Sequence, residues 1–149
     1  MGMKWISTAF LITALPVSMA VANESVIMVT PDEIEWEAAT EGPQSVVLYG
    51  NPAAQEMFAI RVRAPEGASL SAHTHSVPEV LTVVSGTLRI GVGTEPDKTG
   101  GKMLPAGSFV VLPAGTPHYV FVEEDSVAQI NTTGPWGRTI VDPAGNPTE

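Results

Sequence analysis

Apolar and β-branched residues recur along this chain in short runs, at 46–49, 57–63, 80–84, 87–92, 108–112, 118–122, 127–131 and 138–141. Glycine, proline and acidic residues separate them. Strands this short, with turn formers at every joint, predict an all-β sandwich or barrel rather than alternating strands and helices. In the run 57–63, Phe58, Ile60 and Val62 share one face while Ala59, Arg61 and Arg63 share the other, the period of a half-buried strand. Ser85-Gly86 reads as a tight hairpin and 93–101 as an exposed loop. Upstream, 25–29 is a further β-type run. It is followed by Thr30-Pro31-Asp32-Glu33, which has the form of a helix start: Thr30 as N-cap, Pro31 at the first position and Glu33 completing a capping box.

Composition supports one domain. The chain has 149 residues, of which 44% are hydrophobic and 15% charged, and its 14 glycines and 13 prolines disfavour long helices. Residues 1–22 are set apart from the fold. Lys4 precedes an apolar run at 5–15, then Pro16 and the small tripeptide Ala20-Val21-Ala22, the pattern of a secretory signal peptide cleaved after Ala22. The apolar run is too short and too interrupted for the roughly 20 residues of a membrane span. The expected organisation is a signal peptide at 1–22, an arm at 23–45, a barrel at 46–142 and a loose tail at 143–149. A periplasmic or secreted location follows, with no stable membrane insertion after cleavage. With no cysteine, stability must come from packing and bound metal. Loss of Lys4 moves the formal charge from −9 to −10, which makes nucleic acid an unsuitable partner.

The chain has three histidines. His73 and His75 are two apart, and on an extended segment share a face; Glu79 has the same parity, although Pro78 interrupts the strand before it. His118 lies far downstream, inside Pro113-Ala-Gly-Thr-Pro-His118. From Gly67 the sequence reads five residues, His73, one, His75, three, Glu79, six, Gly86. From Gly107 it reads five residues, Pro113, one, Gly115, two, His118. These two patterns resemble the signature motifs of the cupin superfamily. The end of the chain, Gly134-Pro135-Trp136-Gly137 and Val141-Asp142-Pro143, is similar to small quercetin-dioxygenase-like and anti-sigma-factor cupins.

The resemblance implies an antiparallel jelly-roll β-barrel with His73, His75, Glu79 and His118 as ligands of one divalent transition metal. The second motif departs from the family at its last position, where Val122 stands in place of a common asparagine that is not a ligand. Three imidazoles and a carboxylate suit Fe, Mn, Ni, Co, Cu or Zn, and leave one or two positions open for a small molecule. Continued alternation would place Leu81 and Val83 beside Glu79, and Val120 and Val122 beside His118, giving an aliphatic wall suited to an apolar or aromatic substrate. Gln129, Asn131 and Tyr49 are the candidates for a polar contact with a substrate, against the favoured reading as ordinary strand residues; Trp36 and Trp136 read as packing residues rather than a binding platform, and Gly91-Val-Gly93 as turn chemistry.

The function implied is a dioxygenase acting on a small oxygenated compound of flavonol, diketone or phenol type, with Glu79 also accepting the substrate's proton. The rivals are a non-redox isomerase or lyase and a module that binds metal or ligand without turnover. A homodimer formed through an exposed edge strand is a further expectation.

Overall fold

The computed structural model describes residues 25–36 and 42–148. The expected signal peptide lies outside the described residues. Ten strands form the domain: β1 (Gln44–Tyr49), β2 (Met57–Ala64), β3 (Ser69–Thr74), β4 (Glu79–Ser85), β5 (Thr87–Val92), β6 (Lys102–Pro105), β7 (Phe109–Leu112), β8 (His118–Val122), β9 (Ser126–Thr133) and β10 (Thr139–Ile140). They assemble into two antiparallel five-stranded sheets, in the orders β1-β2-β9-β4-β7 and β10-β3-β8-β5-β6. The fold is a jelly roll, all-β as the strand runs predicted and of the type that the cupin resemblance implied.

Alternation drives the packing. Phe58 and Ile60 of β2, Leu81 and Val83 of β4, and Ala128 and Ile130 of β9 point inward from one sheet, against Leu88, Ile90, Leu104 and Val122 from the other. Phe58 is wholly buried. On the outside of the first sheet Arg61 bonds to Gln129, its cross-strand partner, while Val47, Phe109 and Val111 of the same sheet are exposed. This places Gln129 away from the interior, as an ordinary strand residue. The β4–β5 hairpin turns at Gly86 with φ +72°, where a Cβ would also collide with the backbone oxygen of Asp125.

Three sequence expectations need correction, and a fourth is met in its shorter form. The run 25–29 joins neither sheet among the described residues and stays exposed. The capping box forms as read, with Glu33 accepting from the Thr30 backbone N–H at 2.7 Å, and it opens the shorter of the expected lengths, a single 3₁₀ turn at Pro31–Glu33. The tail is not loose: Val141 bridges Pro147, and the Thr148 N–H donates to the Ile140 carbonyl at 2.9 Å. Gly91 is no turn residue. It sits buried within β5 opposite Tyr119, whose ring occupies the space that a side chain would need.

A candidate metal centre inside the barrel

The four singled-out residues meet at one end of the space between the sheets. His73 on β3 is paired directly across from His118 on β8, Glu79 opens β4 on the facing sheet, and His75 follows the end of β3. A register shift between Leu70 and His73 makes Ala72 and His73 both buried, so simple parity fails locally on β3. His73, His75, Glu79 and His118 are nevertheless all buried, with one potential ligand atom of each lying within 4.8 Å of the others.

The backbone fixes the histidine tautomers. The Nδ1 of His73 lies 2.7 Å from the Ser71 carbonyl, that of His75 is 2.6 Å from the Gly137 carbonyl, and that of His118 is 3.0 Å from the Thr116 carbonyl. A carbonyl only accepts, so each Nδ1 carries a hydrogen and, in the neutral ring, each Nε2 presents a lone pair. Three lone pairs and a carboxylate therefore converge. The His75 and His118 Nε2 atoms lie 3.0 and 3.5 Å from Glu79 Oε2, and that oxygen has no hydrogen-bond donor when these rings are neutral.

Such a cluster can be relieved in two ways: protonated His75 and His118 donate to Glu79, or a cation sits among the four. Donor atoms bound to one ion at about 2.0–2.2 Å lie at most about 4.4 Å apart, so the cluster needs to contract by only a few tenths of an ångström. The backbone carbonyls behind the imidazoles supply the outer support that orients metal-binding histidines. The residues present fit a divalent metal.

Electrostatics agree. Burial lowers the pKa of His73 from its ordinary 6.5 to about 4, against the opposing hydrogen bond to Ser71. Burial raises that of Glu79, but in the metal-free protein with His118 and His75 protonated, hydrogen bonds and charge from those two rings outweigh it and hold the carboxyl at about 2. Both groups are thus ready as ligands at neutral pH. Both folded-state values lie below the unfolded ones, so the unfolded chain takes up more protons in acid. Metal-free protein should hold its full stability above about pH 6.5. It should lose the His73 contribution between about 6.5 and 4, and the Glu79 contribution between about 4.5 and 2. Thermal unfolding of chelator-treated protein against pH checks this; a melting temperature flat from pH 7 to 4 contradicts it.

The site lies in a cavity of about 390 Å³. Its wall includes Ile60, Val62, Leu81, Leu88, Val120, Val122 and Ile130, the aliphatic lining that alternation predicts, whereas Val83 is buried in the core beyond it. Tyr49 and Asn131 do not line it. Trp36 lies under the Arg63 guanidinium, 4.7 Å from its carbon, as a packing residue.

Trp136 is different. Its ring stacks on His75 at 4.7 Å and 11°, meets Phe58 at 5.8 Å, and lines the cavity with Arg138. The segment 134–138 is a strap across the site. It is anchored by the Gly134 N–H to the Glu56 carbonyl at 2.9 Å and the Trp136 N–H to the Pro52 carbonyl at 2.7 Å. Reading Trp136 as packing alone missed this placement. The Gly-Pro-Trp-Gly sequence was visible, but only the fold brings it against His75.

Comparison with known proteins agrees with this geometry. The cupin domain family model matches residues 60–132. This chain belongs to the cupin superfamily. It is similar in structure to a candidate acetylacetone dioxygenase from Methylibium petroleiphilum, at 22% identity and TM-score 0.65, covering 88% of this chain and 91% of that one. An acetylacetone dioxygenase from Acinetobacter johnsonii is similar at 19% identity and TM-score 0.62, over 85% and 83% of the two chains. The DMSP lyase DddQ from Ruegeria pomeroyi is similar at 19% identity and TM-score 0.58, over 75% and 63%. These likenesses are of fold. No curated protein matches the chain.

Proposed function

We propose that the protein is a metal-dependent enzyme that uses His73, His75, Glu79 and His118 to hold one divalent transition metal, and that it is a dioxygenase of a small oxygenated organic compound. The observation that carries the metal is the convergence of three backbone-tautomerised imidazoles on a carboxylate oxygen with no donor of its own. The bound ion would supply Lewis acidity and, if redox-active, the capacity for O₂ chemistry.

The chain's own residues do the rest. The aliphatic wall holds an apolar body and keeps bulk water from the reacting end. Glu79, ionised and at the base of the cavity, accepts the proton of a substrate enol or hydroxyl. Support for the reaction class comes from the two dioxygenase-named relatives. The lyase among the similar structures favours non-redox chemistry as the second reading.

The test is O₂ uptake by metal-loaded protein with panels of 1,3-diketones, flavonols and phenols, repeated without O₂. Consumption of O₂ is expected, with a loss of at least roughly 100-fold in turnover for Glu79→Gln. Turnover that persists without O₂ would move the assignment to a lyase or isomerase. Undiminished turnover in Glu79→Gln would remove its proton-accepting role.

A further inference from the structure

The strap carries two donors that the metal site does not use. Trp136 Nε1 is buried with no acceptor among the described residues. A buried indole N–H is normally hydrogen-bonded, and this one lies on a side chain that lines the cavity. Two residues on, Arg138 lines the same cavity and is the one lysine or arginine among the described residues that does so.

The other described arginines are engaged. Arg61 bonds to Gln129, Arg63 bonds to Gln44 and covers Trp36, and Arg89 pairs with Glu123. Arg138, exposed at the rim of the strap, has no hydrogen bond, ion pair or ring partner among the described residues. A chain with net charge −9 offers carboxylates in excess, yet leaves this guanidinium free at the cavity. The one carboxylate among the described residues that lines the cavity, Glu79, is already enclosed by histidines.

We propose that the cavity is built for a small carboxylate with an apolar body, its anionic end held on the strap by the Arg138 guanidinium and the Trp136 indole N–H. A neutral apolar ligand would leave the buried indole N–H unsatisfied and the guanidinium without a counter-charge, and a cation would face a guanidinium and a bound metal. A carboxylate accepts from both. The planar guanidinium suits its two oxygens, and its charge strengthens each bond. The aliphatic wall takes the remainder of the molecule. The assignment rests on the metal-enzyme reading for where the reacting end lies, and narrows its substrate to an oxygenated compound that also bears a carboxylate.

The strap also couples this end to the metal site. Gly137, between the two donors, gives the carbonyl that fixes the His75 tautomer, and the Trp136 ring lies on the His75 imidazole.

The experiment is calorimetric titration of metal-loaded protein with 4-methyl-2-oxopentanoate, phenylpyruvate and benzoylformate, each against its methyl ester. At least one acid should bind tenfold or more tightly than its ester. Arg138→Gln should abolish that preference while leaving ester affinity and metal content unchanged. Trp136→Phe keeps a ring against His75 but loses the donor, and should weaken the acid three- to tenfold and the ester little. Equal binding of every acid and ester, no binding by any, or an acid preference that survives Arg138→Gln overturns the assignment. Metal content measured on the same samples separates the two failures. Protein without metal contradicts the metal reading, whereas loaded protein without an Arg138-dependent preference contradicts only the carboxylate assignment.

Discussion

Stripping metal from the protein with a chelator is expected to lower its melting temperature by about 10–20 °C, because ligand at about 1,000 times its dissociation constant contributes about 4 kcal/mol to a domain of this size. Removing the ion leaves four buried acceptors facing one another, three of them set in that direction by backbone carbonyls. Re-addition of a divalent transition metal should restore the loss. His118→Ala removes one of the two imidazoles nearest Glu79 and should make melting insensitive to both chelator and metal. Equal melting temperatures with and without metal in the wild-type protein would mean that the cluster is held by protons instead.

Phe58→Ala should produce the other large effect. Phe58 is wholly buried at the centre of the core, and truncation of such a residue costs about 3–5 kcal/mol. The consequence reaches the site, because the Phe58 ring also backs Trp136, which lies on His75. Denaturant unfolding of the metal-loaded variant should therefore show the stability loss together with weaker metal retention. Phe58→Leu, which keeps most of the volume, should recover most of both. A Phe58→Ala protein with unchanged stability would contradict the packing account.

The metal-ligand candidates were legible because their spacing is local and chemically unusual. Two histidines and a glutamate within seven residues and a third histidine after Pro113-Ala-Gly-Thr-Pro need no knowledge of the fold to stand out. Strands with strong apolar alternation were equally plain, and β5 and β8 have the predicted limits. By contrast, β3 and β6 escaped listing among the strand runs. Ser69–Thr74 is mostly small and polar, and Lys102–Pro105 is four residues with a proline at its end. Their strand character comes from pairing with β8 and β5, partners supplied by the tertiary fold.

Long-range placement explains the other differences. Gly91 looks like a turn former until Tyr119 is laid across it from β8. Trp136 looks like a loop residue, and Arg138 like the start of the last strand run, until the segment is tied to Pro52 and Glu56, far away in sequence, and β10 begins only at Thr139. The tail gains its order from Asp142, whose carboxylate accepts from the Asn146 N–H at 2.8 Å and closes a turn that returns the chain to Val141. None of these contacts leaves a periodic signal.

The most direct measurement is elemental analysis of protein purified without chelators, beside a His73→Ala, His75→Ala double variant. The account predicts about one equivalent of a divalent transition metal in the wild-type protein and its loss in the variant. Wild-type protein that is folded and free of metal, or a double variant that keeps a full equivalent, would contradict it.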